Sequence, residues 1–277
     1  MFIPRVKPAS SKAAALCLVL SVSFALGGCK TMNDVTGSIR LPGSSSPQAG
    51  PMPRDQNGMR AYAESWGKRY DADPSNKTAA LNYAAALRRM TQFSQATAVL
   101  QRVAAKHPND LEVLGAYGKA LADSQRLREA ADVLSRAHTP ERPNWSILSA
   151  QGSVADQMGN HPAAQDFYRQ ALKINPDEPT VLSNLGLSYA LSKDLRGADQ
   201  TLERAAADPR ADMRVRQNYA LVLALQGKFT EAESISRQDL SAPQAAANVA
   251  AIRKMIAQSD TWRDIQKLDG QQARANR

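Results

Sequence analysis

A register of 34 residues limits what this chain can become more than any other feature. Stepping by 34 from Ala84 gives Gly118, Gly152, Gly186 and Ala220, a small residue at every stop. The same step from Ala96 gives Ala130, Ala164, Ala198 and Ala232. A third series, Phe93, Leu127, His161, Leu195 and Phe229, is apolar in four of five. Prolines punctuate the periods at Pro74, Pro108 and Pro176, and one residue early at Pro209. Within one period Leu182, Leu185, Gly186 and Tyr189 fall at i, i+3, i+4 and i+7. After the polar break Ser192-Lys193-Asp194, Leu195, Ala198, Leu202 and Ala205 form a second stripe. Each stripe is one face of an amphipathic helix, so a period is two short helices and a tight turn. Helices of that length are not stable alone, so the periods must stack.

A 34-residue period marked by small, aromatic, Ala and Pro sites resembles the tetratricopeptide repeat. The resemblance runs from about Lys77 to Leu240, five repeats. It implies an all-α chain, a tetratricopeptide (TPR) superhelical solenoid of about five repeats with flanking capping helices, right-handed in superhelix. Gly58 to Asp73, with Tyr62, Trp66 and Tyr70, resembles the second half of a repeat and is expected to cap the amino end. Ser241 to Gln258, with Val249, Ile252 and Ile256, is expected to cap the other end. Asp260 to Leu268, with Trp262 and Ile265, reads as one more short helix, and Gln271 to Arg277 as a frayed tail. The organisation expected is residues 1–28 as signal peptide, 29–57 as tether, 58–258 as TPR domain with caps, and 259–277 as C-terminal helix and tail.

The first 28 residues carry Arg5, Lys7 and Lys12, no acidic residue, and the apolar run Ala13 to Leu26. Charge followed by a short apolar segment reads as a signal peptide. Its end, Leu26-Gly27-Gly28-Cys29, resembles the lipobox of bacterial lipoproteins. The alternatives are an ordinary signal peptide or a core helix that happens to hold a cysteine. The resemblance implies a covalent lipid on Cys29 and no other cofactor, and Cys17 then leaves with the signal, so no thiol remains. Acyl chains contribute about 0.8 kcal/mol per buried methylene, enough for a permanent anchor when several are present. Lys30, where retained lipoproteins tend to carry Asp, implies the outer membrane, with the domain facing the periplasm. Thr31 to Asn57 is rich in Gly, Pro and Ser and lacks apolar periodicity, which reads as a tether reaching about 30 Å as a flexible coil.

The formal charge is +9, and removing the three basic signal residues leaves 32 Lys and Arg against 26 Asp and Glu. That mild excess, scattered and with few aromatics, argues against nucleic acid as a partner. No HExxH, CxxC, GxSxG or phosphate-cradling glycine loop occurs, and His107, His138 and His161 sit at turns or helix ends. The chain is expected to be no enzyme, to hold no metal and to take no small-molecule substrate. Binding must then lie in the groove that TPR arrays build from their first helices.

By that pattern the early repeats offer Asn82, Arg88, Arg89, Glu112, Lys119, Asp123 and Asp156, with Gly115, Ser149 and Ser153 leaving room. The last two repeats offer Leu187, Leu191, Leu221 and Leu225, with Asn184, Arg214 and Asn218 as polar neighbours. The leucines either grip an apolar partner segment or pack under the carboxy-terminal cap. Asn184, Arg214 and Asn218 match three sites of the carboxylate-clamp TPRs, whereas the other two sites are Ser149 and Ser153. Asn218-Tyr219-Ala220-Leu221, Gly227-Lys228-Phe229, Glu231-Ala232-Glu233 and Ala246-Ala247-Asn248 resemble the TadD-type lipoproteins of the tight-adherence (Flp) pilus machinery. His161, Ser236 and Asp239 depart from that pattern. The resemblance implies a pilotin-like scaffold for an outer-membrane secretin. A TPR adaptor docking peptidoglycan enzymes or other envelope complexes stays open beside it.

Replacing Cys29 by Ser tests the anchor. A folded protein lacking the lipid mass and lost from the outer-membrane fraction is expected. Unchanged intact mass and unchanged fractionation count against lipidation.

Overall fold

The computed structural model describes residues 51–53 and 55–275, with side chains as far as residue 258. The signal segment, Cys29, Lys30 and the tether up to residue 50 lie outside the described residues. So do the side chains of Trp262 and Ile265 and the last two residues. Among the described residues there are twelve helices: α1 Gln56–Ala72, α2 Lys77–Arg89, α3 Phe93–Lys106, α4 Leu111–Asp123, α5 Leu127–Ser135, α6 Trp145–Gln157, α7 His161–Ile174, α8 Pro179–Leu191, α9 Leu195–Ala207, α10 Met213–Leu225, α11 Phe229–Ser236 and α12 Ala242–Ala275. They pack pairwise as tetratricopeptide repeats, α2 with α3 through α10 with α11, and each pair packs on the next. First helices of successive repeats also touch, α2–α4–α6–α8–α10 in order, and α12 continues the series against α10. Among the described residues no helix is long and apolar enough to cross a membrane.

The 34-residue register has a direct steric cause. A Cβ on Gly118 would lie 2.6 Å from the Leu134 side chain, one on Gly152 2.5 Å from Tyr168, and one on Gly186 2.5 Å from Leu202. Each partner sits sixteen residues on, in the second helix of the same repeat, and Leu134, Tyr168 and Leu202 are buried. The missing side chain of one helix is filled by the large side chain of the other. At the ends of the array Ala84 and Ala220 hold the same site, and both are buried. The five register alanines Ala96, Ala130, Ala164, Ala198 and Ala232 are all fully buried.

The turn between the two helices of a repeat obeys the register too. Thr91, Gln125, Gly159, Lys193 and Gly227 all adopt φ between +60° and +80°. Each follows a helix end whose carbonyls accept the turn amides, as Gln92 N–H donates to Leu87 O and Asp194 N–H to Tyr189 O, both at 2.9 Å. This is the Schellman closure, with its left-handed residue just past the helix. Only two of the five are glycine, so packing holds Thr91, Gln125 and Lys193 where their own side chains resist. A β-branched residue such as Thr is the least suited to it. Entry to the helices is better matched. Asn76, Asp110, Asn144 and Asp212 accept amide hydrogen bonds at the starts of α2, α4, α6 and α10. Asn160 and Asp194 do the same for α7 and α9.

Repeat three adds a polar centre to its apolar core. The Asp156 carboxylate of α6 accepts hydrogen bonds from His161 Nδ1 at 2.9 Å and Ser188 Oγ at 2.8 Å on one oxygen. Its other oxygen accepts from the Tyr168 hydroxyl at 3.1 Å. The four groups join α6, α7 and α8, and Ser188 is wholly buried. At the corresponding sites other repeats carry Phe or Leu for His161, Ala or Val for Ser188, and Leu or Ser for Tyr168. Burial, and then the Asp156 carboxylate beside it, push the Tyr168 phenol well above its usual range, so it remains a donor.

At the amino end α1 begins at Gln56 behind an Asp55 cap, two residues before the expected Gly58. It packs on α2 as the second half of a repeat would, with Trp66 buried under the Arg69 guanidinium at 4.6 Å and the Tyr62 hydroxyl donating to Asn82 Oδ1 at 2.7 Å. The carboxy end differs from expectation. Instead of a cap, a break and a short helix, α12 is one uninterrupted helix of 34 residues. No proline follows Pro243, and neither Ser259-Asp260 nor Gly270 stops it. In repeat five, Ser236 is buried and donates to Ala232 O at 2.8 Å. The Asp239 carboxylate accepts from Arg216 Nε at 2.6 Å and Nη2 at 2.5 Å.

Substitution at one register site should change sign with the resident residue. Thr91→Gly should stabilise the array by about 1 kcal/mol and Gly159→Ala should destabilise it by a similar amount, since left-handed backbone costs L-residues about 1–2 kcal/mol. Paired thermal melts check this, and shifts of the same sign count against the turn assignment. For the polar centre, Asp156→Ala strands three donors at about 1–3 kcal/mol each at most. The fourfold change Asp156→Ala, His161→Leu, Tyr168→Leu and Ser188→Ala should recover most of that loss, as replacing whole buried polar sets often does. Denaturant titration of the two variants decides it.

Candidate partner-binding groove

Hydrogen bonds between successive first helices identify the face they share. Asn184 Nδ2 reaches Ser149 Oγ at 3.4 Å, and one repeat on Asn218 Nδ2 reaches Ser183 Oγ at 2.9 Å. Lys119 Nζ donates to Ser146 Oγ at 2.7 Å, and Arg88 Nε meets Asp123 Oδ2 at 2.5 Å. All are contacts between neighbouring first helices, so these residues, the buried Ser183 apart, lie along one continuous surface. This is the face on which the sequence places the groove.

Along this surface the chemistry changes from one end to the other. One register row reads Ala85, Lys119, Ser153, Leu187 and Leu221, and a second reads Arg89, Asp123, Gln157, Leu191 and Leu225. Both pass from charged or small in the first repeats to leucine in the last. Leu191 and Leu225 are 39% and 41% exposed, large for leucines on a packed helix, and Leu187 is half-buried. Leu221 differs. It packs against the cluster of Val249 and Ile252 from α12, so this one of the four leucines lies under the carboxy-terminal cap.

The polar neighbours divide as well. Asn184 and Asn218 spend an amide donor on the preceding repeat, which makes them part of the stack as well as of the surface. Arg214 is 74% exposed and lies 3.6 Å from the Asp212 carboxylate. Of the early set, Glu112 pairs with Lys77 at 2.7 Å and Arg88 with Asp123. Asp156 is not a groove residue, since its side chain is 11% exposed and its oxygens are taken by the polar centre. Lys119 and Arg89 have no carboxylate within ion-pair distance among the described residues.

Each of the three histidines has a hydrogen-bond partner. His107 Nε2 contacts Ser75 O at 3.2 Å, His138 Nε2 contacts Gln151 Oε1 at 3.0 Å, and His161 bonds to Asp156. Among the described residues no cluster of three His, Cys, Asp or Glu is placed to hold a metal. The polar centre escaped the sequence reading, although Ser188 stood out in a row otherwise Ala or Val at residues 86, 120, 154 and 222.

Comparison with known proteins agrees with this architecture. A tetratricopeptide-repeat family model matches residues 84–144 and 149–212. An uncharacterised protein of Sinorhizobium fredii is 36% identical over 85 residues, 31% of this chain and 47% of its own length. The chain therefore spans about half of that relative. Among solved structures, PilW, a widely conserved type IV pilus biogenesis factor, superposes with TM-score 0.54 at 21% identity over 70% of this chain and 84% of PilW. Human IFIT1, in a complex with m7Gppp-AAAA, superposes with TM-score 0.57 at 15% identity over 66% of this chain and 46% of its own. Two such different proteins fit about equally, so these likenesses establish the fold alone. Helix pairing, the 34-residue register and the family match over these residues agree on one architecture, an all-helical array of tetratricopeptide repeats.

Proposed function

We propose that this chain is a lipid-anchored, non-enzymatic scaffold of the outer membrane. Its groove holds a segment of an envelope partner, in the manner of a pilotin serving a pilus secretin. The observation that carries the reading is the pair Leu191 and Leu225, exposed at equivalent sites of adjacent first helices beside the half-buried Leu187. Leucines left open at register positions suit an apolar peptide or one face of an amphipathic helix. The Leu26-Gly27-Gly28-Cys29 lipobox supports the anchor, and the TadD-like segments from Asn218 to Asn248 support the pilus setting. PilW gives a precedent for a TPR array in pilus biogenesis.

Because Leu191 and Leu225 are exposed, replacing both by Ser separates binding from folding. Burying a leucine contributes about 1.5–3 kcal/mol, so the double variant should bind its partner at least about tenfold more weakly while its melting point hardly moves. Secretin multimers and surface pili are the cellular readout, and co-purification from solubilised envelopes is the direct one. Normal pili and normal co-purification with the double variant would discard this face as the binding site.

A further inference from the structure

Two cations in the first repeats lack the counter-charge that their neighbours have. Lys119 lies half-buried between α4 and α6, bonded to the neutral Ser146 hydroxyl. Arg88 is near enough to act on it, but the one carboxylate at that place, Asp123, is already held by Arg88. Burial, and then Arg88, hold the Lys119 ammonium below the usual lysine range, the signature of a charge set in a poorly solvated place beside its like. Arg89 is exposed next to them with no ion pair among the described residues. Around this excess of positive charge the surface is lined by small residues, Ala85, Ala116 and Ser149. Sixty-eight residues on, two register steps from Lys119, stands Leu187, with Leu191 beside it.

Resting on the groove reading above, we propose that the groove is directional. Repeats one and two take a carboxylate-bearing stretch of the partner peptide, and repeats four and five take its apolar residues. An acidic stretch supplies the anion that Lys119 and Arg89 lack, whereas a basic or purely apolar segment leaves Lys119 desolvated and unpaired. Helices packed side by side lie 8–10 Å apart, so two register steps span about 16–20 Å. An extended peptide covers that distance in about six residues. The partner motif is therefore two or so acidic residues placed about six residues from an apolar pair.

The test uses the full chain in detergent and fluorescence anisotropy with three labelled synthetic peptides in a Gly/Ser background. The first carries two glutamates and two leucines about six residues apart, the second has glutamine for glutamate, and the third closes the gap to about two residues. The first peptide is expected to bind at least about tenfold tighter than either other at low salt, and its lead over the second should shrink at high salt. Lys119→Met should bring the first peptide to the level of the second. The exposed variant Arg89→Gln should do so in part, with melting curves confirming the fold of both. Leu191→Ser should weaken the first two equally. Equal binding of the first two peptides overturns the acidic end, and equal binding of the first and third overturns the spacing. If none binds to a folded protein, the groove reading falls together with its direction.

Discussion

The array depends on one kind of contact, a large side chain of each second helix seated in the gap left by a small residue of its first helix. Gly118 with Leu134, Gly152 with Tyr168 and Gly186 with Leu202 let the helix axes approach closer than two ordinary side chains allow. That approach carries the turn with it. Once the two helices are locked, the chain between them has few residues in which to reverse, and it does so through a left-handed residue whether or not that residue is glycine. Gln125 and Lys193 are held there by the pair they connect, so the tertiary contact outweighs the local preference. The same lock aligns the first helices and so builds the surface on which any partner must sit.

Much of this is visible in the bare sequence because steric exclusion leaves its mark on residue size. A site that admits no Cβ shows glycine, a site that admits one carbon shows alanine, and both recur every 34 residues. Polar compensation leaves a fainter mark. His161 read as an oddity among Phe and Leu, but its meaning depends on Asp156, Tyr168 and Ser188, which lie on three helices and share no fixed spacing. Groove residues are harder still, because exposure and burial turn on what stacks next to them. Leu221 and Leu187 occupy the same register site and are both half-buried, but Leu221 packs against the cluster that α12 completes beside α10. The long α12 was missed for a related reason: Ser259-Asp260 resembles a helix start in isolation, but an established helix passes through it.

Charge along the first-helix face follows its own logic. Pairs such as Lys77 with Asp110 and Arg88 with Asp123, both partly exposed, tie neighbouring repeats together. Each contributes little to stability on its own. Their role is to neutralise, and by doing so they make the few charges left unpaired stand out. The surface is thus patterned by subtraction. What remains after internal pairing is a basic end, a neutral middle of serines and an apolar end.

The polar centre of repeat three lies between those two ends. A single carboxylate gathers donors from α7 and α8 onto α6, so none of the three helices can loosen without exposing the other two. Stacked repeats ordinarily fray one unit at a time and bend by small changes at each junction. Here one buried carboxylate ties α6, α7 and α8 together, so these three helices are expected to loosen as a block. The stretch of surface from α6 to α8 then moves as one piece, so Ser153 and Leu187 keep their separation when the rest of the array bends.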